Sequence, residues 1–419
     1  LTPRTPHRSL PTQTTPNTEG IVLIDDSERR RRLATRHGLT DEVRPGDPAA
    51  AARCVVALHG TDPASIVLSA KARCPSLAID DVEESLHSQR SIVRVMGMRR
   101  TIWVVPTDLV PAAVGGPGAR VARTERKRLI SDVEAHGLHA DGERWLASAA
   151  GQVLDALADG GERSMDQIRS ESPGLVGSYR NGIGKKWESE VSIGPRVLTW
   201  MWADGAIVRS GNDGSWRSAR PLWSAADRWI DAGPPLESAP AWTELVTRWL
   251  ARFGPGTEAD IMWWLGATKG IVRTALAECG AQEVSLSDGS TGWVLANDTG
   301  PTSSTKETGD WGALLPALDP TTMGWKSRDW YMGQHAPHLV DSAGNAGPTV
   351  WWDGRIVGGW HQSEDGAVGL AFLEDVGADA ASVLEAHAES LETWLGGQRV
   401  LMRFPSPLFQ RSTGRPVRR

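Results

Sequence analysis

The 419-residue sequence has little of what builds disulfide-rich or membrane proteins. Its three cysteines, Cys54, Cys74 and Cys279, lie far apart and form no CxxC pair, which excludes a disulfide scaffold and a cysteine-rich zinc site. No apolar run approaches the roughly 20 residues that cross a bilayer. The first 22 residues contain no apolar core segment, so we expect no secretory signal. A reducing cytoplasm fits these absences.

Lysine and two of the three aromatic residue types are also scarce. Seven of the 45 basic residues are Lys and the other 38 are Arg, while 20 Trp stand against 2 Tyr and 4 Phe. Arginine binds phosphates and guanine edges through paired hydrogen bonds, whereas lysine acts as a point charge. Tryptophan offers large faces for core packing or base stacking. Much of this bias resembles the codon usage of a GC-rich genome, but it gives the chain many side chains that can contact nucleic acids.

Charge is segregated along the chain, although the net charge is only −6. Residues 90–130 hold nine basic and two acidic side chains, a net charge of +7. Residues 362–395 hold eight acidic side chains and no Lys or Arg. The negative net charge argues against a uniformly basic nucleic-acid binder, but a local basic region still attracts phosphates.

Helical patterns followed by a β-hairpin recur three times. Residues 47–107 show three helical patterns and then the alternating SIVRVMGMRRTIWVVP, and similar arrangements occupy 143–225 and 240–300. Three helices followed by a hairpin are typical of a winged helix, a DNA-binding module. The following residues differ, with short strands around the turn Asp353-Gly354 and an amphipathic helix at Ala378–Leu395.

We therefore expect an α+β fold with three tandem winged-helix domains and a C-terminal β-rich mixed domain. The expected parts are a disordered tail at 1–25, a first winged helix with an N-terminal helix and a basic segment at 26–140, a second at 141–235, a third at 236–305, the β-rich domain at 306–408 and a basic tail at 409–419. The Pro- and Thr-rich composition of the first 22 residues predicts the disorder of that tail.

Five segments carry specific local expectations. The sequence from Asp47 predicts one helix that reaches His59, and Asp62-Pro63 predicts the start of the next helix. Arg29–Arg32 are expected on a solvated helix face. Gly115–Arg120 are expected to form a loop, either solvated or touching phosphates, and residues 399–404 to form a closing strand.

Several motifs together resemble one superfamily of tandem winged-helix proteins, which includes the AlkZ- and YcaQ-type DNA glycosylases. They are ALHGTDPASIVLSAKAR at 57–73, MRRTIWVVPTDL at 98–109, RFGPGTEADIMWWLG at 252–266, LLPALDP with GWKSR at 314–328, and PTVWWDGRIVGGW at 348–360. They occur in order from about residue 45 to 405. The resemblance implies the tandem winged-helix fold and action on double-stranded, damaged DNA.

The resemblance also implies where catalysis takes place. In the superfamily the catalytic motif is Gln-apolar-Gln or Gln-apolar-Asp, before the second helix of the first winged helix. The matching positions here are His59, Gly60 and Thr61, followed by Asp62, so both Gln positions hold other residues. The candidate catalytic residues are therefore His59, Thr61 and Asp62. Catalysis requires His59 and Asp62 to be exposed in a basic concavity, within reach of one water.

The candidate DNA contacts are basic side chains in three segments. They are Arg94, Arg99 and Arg100 in the first hairpin, Arg120, Arg123, Arg126, Lys127 and Arg128 after it, and Lys326, Arg328 and Arg355 in the C-terminal domain. We expect no metal site, since the HxxH pair His335 and His338 lacks a further suitable ligand. No phosphate-binding loop is visible, so neither cofactor nor nucleotide is expected.

Two functions remain open at this point. The first is a monofunctional glycosylase that hydrolyses the N-glycosidic bond of alkylated or bulky-adducted purines, with water as the nucleophile. The alternative is a non-catalytic winged-helix protein that binds DNA as a regulator or as a damage sensor. His59 then has a structural or capping role, and Asp62 only caps the next helix. A monomeric, nucleoid-associated protein of the cytoplasm, with no membrane partner, fits either function.

Overall fold

A computed structural model describes residues 21–301 and 311–410. Within these residues the fold is mixed α+β, with many helices and small separate sheets. Of the predicted tails at 1–25 and 409–419, residues 1–20 and 411–419 lie outside the described residues, and so do residues 302–310. None of the described helices has both the length and the apolar character needed to cross a membrane.

The N-terminal part is built around a three-stranded antiparallel sheet. Its elements are β1 Leu23–Ile24, α1 Asp26–Arg36, α2 Pro48–Cys54, β2 Leu58–His59, α3 Pro63–Arg73, α4 Ile79–His87, β3 Ile92–Met96, β4 Ile102–Pro106, α5 Val110–Ala113 and α6 Ala119–Ala135. The sheet order is β2-β4-β3. The hairpin β3–β4 confirms the alternating pattern read from the sequence.

The helix expected from Asp47 to His59 is shorter than predicted. Asp47 caps α2 by accepting a hydrogen bond from the amide of Ala50 at 2.7 Å, but the helix ends at Cys54. Val56 has a φ of +65°, a conformation that a β-branched residue adopts only when its surroundings enforce it. Pairing of Leu58 with Val104 in β4 supplies that constraint. His59 is therefore a strand residue.

The segment 115–120 is helical, so the predicted loop is wrong. Val114–Gly118 form a wide helical turn that leads directly into α6. The glycines serve close packing here. A Cβ on Gly115 would lie 2.0 Å from the carbonyl oxygen of Leu236, and one on Gly118 would lie 2.8 Å from that of Ala203. The backbone at Leu236 and at Ala203 packs directly against this turn, and only glycine leaves room for it.

The middle part has its own apolar core. Its elements are α7 Gly142–Ala156, α8 Met165–Glu171, β5 Ser178–Asn181, β6 Ser189–Ser192, α9 Ile193–Ala203, β7 Ile207–Asn212, β8 Pro221–Ala225 and α10 Ala226–Trp229. Trp145, Trp202 and Trp223 are buried in a cluster that also includes residues of α6. The sequence pattern did not predict the hairpin β5–β6, which stands between α8 and α9.

The third part begins with three helices and ends in a hairpin. Its elements are α11 Ser238–Phe253, α12 Glu258–Leu265, α13 Lys269–Glu278, β9 Gln282–Leu286 and β10 Thr291–Val294. Thr257 caps α12 and Thr268 caps α13, as their sequences predict. β1 pairs in parallel with β9, so the disorder expected up to residue 25 is wrong for Leu23–Ile24.

The C-terminal part is a four-stranded antiparallel sheet covered by a long helix. Its elements are β11 Gly312–Leu315, α14 Asp329–Met332, α15 Ala336–Leu339, β12 Thr349–Trp352, β13 Arg355–Gln362, β14 Val368–Phe372, α16 Ala378–Leu395 and α17 Pro407–Gln410. The strand expected at 399–404 is absent. The amides of Val400 and Arg403 bond to the side chains of Gln362 and Asp62 instead of to a neighbouring strand.

Two of the four arginines in the basic run on α1, Arg29 and Arg32, are buried, so the expected solvated face is wrong for them, whereas Arg31 is exposed as expected. Arg32 is 1% exposed and pairs with Glu28 and Asp298, and Arg29 stacks on the ring of Trp330 at 4.0 Å. These partners lie on α1 itself, in the residues after β10 and in α14. The helix is thus fixed between the third part and the C-terminal part by paired charges.

Candidate active site

His59 lies at the end of β2 as a buried, neutral ring. It is 3% exposed, and its ring centroid lies 4.8 Å from that of Trp103. Burial, reinforced by the positive charge of Arg99, lowers the pKa of His59 to about 3. Its Nδ1 accepts a 3.4 Å hydrogen bond from the amide of Thr61, so the ring proton resides on Nε2. The expectation of an exposed His59 is wrong, because pairing with β4 draws it into the sheet.

Asp62 is buried at the start of α3. It occupies the N-cap position and is 1% exposed, and the backbone amide of Ala64 in the first turn of α3 favours its charged form. Its Oδ2 accepts a 2.9 Å bond from the amide of Arg403 in the C-terminal part. Burial raises the pKa of this carboxyl. The expectation that Asp62 is exposed is wrong, and so is the interpretation that its carboxylate only caps the helix.

Thr61 stands between these two residues and is half-buried. Its hydroxyl Oγ1 is buried and has no hydrogen-bond partner within the described part of the chain. A buried hydroxyl without a partner costs about 1–3 kcal/mol. That cost is relieved when a ligand or a water takes the hydrogen bond. Within the triplet His59-Gly60-Thr61, the hydroxyl of Thr61 therefore has free bonding capacity.

The turn between β3 and β4 lies directly beside the triplet. The amide of Gly60 donates a 2.8 Å bond to the carbonyl of Ile102, the first residue after this turn. Arg99 and Arg100 both hold positive φ, +57° and +60°. Two consecutive non-glycine residues in this conformation cost roughly 1–2 kcal/mol each, and such strain concentrates at functional sites.

Arg99 and Arg328 meet on the same tryptophan. Their guanidinium carbons lie 4.1 and 5.0 Å from the ring of Trp263 in α12, so arginines from the first hairpin and the C-terminal part are stacked together. Burial and the charge of Arg328 lower the pKa of Arg99 to about 10, which leaves it cationic at neutral pH. Sequence analysis missed Trp263. The available signal was the pair Trp263-Trp264, of which Trp264 is buried.

A small basic pocket opens next to this stack. Its volume is about 210 Å³, and its lining includes four of the predicted DNA contacts, Arg99, Arg100, Arg120 and Arg128. The buried carboxylate of Glu125 pairs with Arg100 and Arg128 and orients both guanidinium groups. The arrangement is chemically suited to a phosphate.

The other predicted contacts are distributed differently. Arg123 and Lys127 are exposed on the outer face of α6, whereas Arg126 pairs with Glu143. Lys326 is exposed, and Arg355 is exposed and pairs with Glu374 at 3.1 Å. Arg94 does not join the group. It lines a separate cavity of about 450 Å³ with Trp202 and the linker at 230–235.

Two buried aspartates that sequence analysis missed hold the surroundings in place. Asp260 accepts hydrogen bonds from the amides of Lys326 and Ser327 and so fixes the GWKSR segment on α12. Asp319 forms a fully buried ion pair with Arg73, and its charge also acts on His59. In the sequence, Asp260 follows Thr257 by three residues, the spacing of a helix-capping pair, and Asp319 lies in the motif LLPALDP. Neither pattern reveals burial.

No group of three His, Cys, Asp or Glu side chains that would suit a metal ion occurs in residues 21–301 and 311–410. Within the HxxH pair, His335 is hydrogen-bonded to Glu374 at 3.0 Å.

The buried neutral histidines predict an acid-sensitive fold. The pKa of His37, like that of His59, is lowered by burial to about 3. A lowered folded-state pKa gives stability that is complete above the unfolded value of about 6.5 and is lost as the pH falls. We expect the free energy of unfolding to fall by about 1.4 kcal/mol per pH unit for each ring below about pH 6. Urea unfolding of wild type and His59→Gln at several pH values measures this, and identical slopes would contradict it.

A model of the AlkZ-like DNA glycosylase family matches residues 52–394. The chain is similar to the solved Streptomyces sahachiroi DNA glycosylase AlkZ, with a TM-score of 0.66 and 17% identity, over 91% of this chain and 98% of that one. At this identity the likeness concerns the fold. No curated protein compared with the sequence matches it. Because the family model covers more than half of the sequence, the protein belongs to the AlkZ-like DNA glycosylase family, with DNA as its substrate and a role in DNA repair.

Proposed function

We propose that the protein hydrolyses the N-glycosidic bond of alkylated or bulky-adducted purines in duplex DNA, for repair or for resistance to a genotoxin. The observation that carries this proposal is the surroundings of the triplet. Thr61, with its unpartnered hydroxyl, and the buried carboxylate of Asp62 adjoin a turn that presents Arg99 and Arg100. The family match over 52–394 supports the class of reaction.

The proposed architecture is three winged helices and a β-rich domain, at 26–140, 141–235, 236–305 and 306–408. In each of the first three parts, helices precede an antiparallel hairpin: β3–β4, β7–β8 and β9–β10. The similarity of the fold to AlkZ supports this division. The stack of Arg99, Trp263 and Arg328 joins the first, third and last parts around one site.

The chemistry requires charge stabilisation more than acid catalysis. An N7-alkylated guanine is positively charged, so the C1′–N9 bond breaks with its electron pair moving to the base, and the sugar becomes oxocarbenium-like. Asp62 is buried, so in this proposal it acts on that sugar without touching it, through the field of its negative charge in a site of low dielectric. The alkylated guanine leaves as a neutral base, and water adds to C1′ and gives its proton to bulk water. Because His59 is buried, it does not hold this water itself, unlike the arrangement expected from the sequence. Neutral His59 holds the backbone of Thr61, and the Thr61 hydroxyl hydrogen-bonds the water.

The proposed DNA-binding surface begins at the basic pocket and continues along α6. Arg99, Arg100, Arg120 and Arg128 surround one phosphate there. Arg123 and Lys127 extend the positive surface, and Lys326, Arg328 and Arg355 add contacts from the C-terminal part. Arg94 is not part of this proposed surface, because it lines the separate cavity beside β3. Neither a metal nor a nucleotide has a part in the proposed reaction.

Base release from defined duplexes tests the proposal. The wild-type protein is incubated with duplexes that contain one N7-methylguanine or one bulkier N7 adduct, and abasic sites are revealed by alkaline cleavage. We expect abasic sites with at least one lesion and none with the undamaged duplex. Tight duplex binding without release of either base would contradict hydrolysis and favour the non-catalytic alternative, a damage sensor.

A further inference from the structure

Trp187, in the loop between β5 and β6, differs from every other tryptophan. All 20 tryptophans lie in the described residues, and 19 of them are buried or half-buried, whereas Trp187 is 63% exposed. Ile183, four residues earlier in the same loop, is 72% exposed. Two large apolar side chains at the end of one hairpin form an unusual surface for a folded protein, and such surfaces mark binding sites.

The loop holds Trp187 in a defined position. A Cβ on Gly182 would lie 2.3 Å from the Trp187 ring, so the ring packs directly on the bare backbone of this glycine. Gly182 also has a φ of +65°, which favours glycine. The carbonyl of Gly182 accepts a bond from the amide of Lys185 at 2.8 Å, and Glu188 accepts one from the amide of Gly184 at 2.9 Å. One side of the ring is therefore fixed against the backbone while much of its surface stays in solvent.

The apolar tip, defined as Ile183 and Trp187, is flanked by cations. Lys185 and Lys186 lie between its two members and are exposed, and neither forms an ion pair with any described carboxylate. Glu188 is occupied by Arg180 at 3.3 Å. Free positive charge around an apolar tip is complementary to DNA, where phosphates border a groove lined by sugars and base edges. A purely apolar protein partner would not require the two lysines.

The hairpin is anchored to the helix that carries the basic surface. Tyr179 in β5 donates a hydrogen bond to Asp132 of α6 at 2.9 Å, and Arg196 of α9 pairs with the same carboxylate. Twelve residues of helix, roughly 18 Å at 1.5 Å per residue, separate Asp132 from Arg120 in the basic pocket. That span corresponds to about five base pairs at 3.4 Å each. The exposed Arg123 and Lys127 lie between the two ends.

We propose that the β5–β6 hairpin is a second DNA-contacting element, whose apolar tip enters the minor groove of the duplex while Lys185 and Lys186 bind the flanking phosphates. This inference rests on the proposed function only in taking duplex DNA as the substrate. Ile183, the more exposed member of the tip at 72%, is the side chain that wedges against a base step, as apolar side chains of minor-groove proteins do. Trp187 packs against the sugars beside it. The tip thereby holds the duplex at a second point, several base pairs from the triplet.

Binding to undamaged duplex DNA, measured over a range of salt concentrations, tests the tip without any catalysis. We expect Trp187→Ala to weaken binding by roughly tenfold, the lower range for loss of one aromatic contact. Ile183→Ser leaves Trp187 packed on Gly182, and it should weaken binding several-fold without disturbing the loop. Neither change should alter the slope of affinity against salt. Lys127→Ala is the matched control. It removes one phosphate contact and should reduce the slope of log affinity against log salt concentration by about 1.

A second readout reports the wedge directly. A series of duplexes carries 2-aminopurine, a base whose fluorescence rises when it is unstacked, at successive positions. Wild type should raise the fluorescence at one of these positions, and Ile183→Ser should not. Unchanged affinity in both tip variants, together with a normal loss in Lys127→Ala, would overturn the inference. Conversion of a dimer into a monomer by Trp187→Ala in sedimentation would also overturn it, by showing that the tip contacts a second copy. Failure of base release alone would overturn only the proposed function.

Discussion

Asp62→Asn should lower the rate constant of base release by roughly 10²–10³-fold, the usual cost of removing one electrostatic group from a transition state. Asparagine keeps an oxygen that can accept the bond from the amide of Arg403, so the local structure is preserved and only the charge is lost. The rate should be measured in single turnover with the protein in excess, on an N7-methylguanine duplex. Duplex affinity should stay unchanged, because Asp62 is buried beneath the binding surface.

The pH dependence gives an independent test of the same assignment. Burial raises the pKa of Asp62, and the active form in this proposal is the carboxylate. Base release by the wild type should therefore decline as the pH falls, beginning above the ordinary range of an aspartate, near pH 4. That acidic decline should be absent from the residual activity of Asp62→Asn.

A matched control comes from the other Asp-Pro pair of the same part. Asp47 precedes Pro48 as Asp62 precedes Pro63, but Asp47 caps its helix through a bond to the amide of Ala50. Asp47→Asn should cost a few tenths of a kcal/mol of stability at most, since asparagine is an equally good N-cap, and it should leave the release rate intact. Equal rate constants of base release in wild type and Asp62→Asn would refute the catalytic role of Asp62, even if the substitution changed the stability of the protein.

Local features of the fold could be predicted from the sequence because they depend on residues close in the chain. The caps at Asp47, Thr257 and Thr268 and the alternation in β3–β4 are of this kind. β2 could not be predicted, since a two-residue strand exists only through its pairing with β4. The parallel partner of β1 lies more than 250 residues away in sequence. Pairings of that kind leave no periodicity in either segment.

The sequence predicted where in the chain the candidate site lies, but not that its residues are buried. The motif resemblance pointed to residues 59–62, and the charge count pointed to the arginines that line the basic pocket. Neither pattern indicates that the ring of His59 is covered by Trp103, or that the amide of Arg403 reaches Asp62 from the far end of the chain. Trp263 was missed for the same reason, because its two arginine partners come from separate parts of the sequence.

Arg73→Met should lower the free energy of unfolding by about 3–5 kcal/mol, the cost of leaving a buried charge without its partner. Both side chains of the Arg73–Asp319 pair are 0% exposed, and two parallel bonds of 2.9 Å connect them. Burial alone would raise the pKa of Asp319, but Arg73 and the hydroxyl of Ser69 hold it below its usual value. Without Arg73 the carboxylate must either stay charged in an apolar surrounding or take up a proton. Urea unfolding followed by circular dichroism measures the loss.

Two further variants separate the charge from the packing. The exposed pair Arg126–Glu143 is the surface counterpart, so Arg126→Met should cost less than about 1 kcal/mol. The double variant Arg73→Met with Asp319→Leu removes both charges and should recover most of the stability, because apolar replacements of a buried pair are often neutral. Equal losses in Arg73→Met and Arg126→Met would show that the buried pair contributes no more than a surface pair. Failure of the double variant to recover would indicate that shape, and not charge, joins α3 to the segment after β11. The charge of Asp319 also acts on His59. If the double variant recovers stability but not base release, the Arg73–Asp319 pair also contributes to the proposed active site.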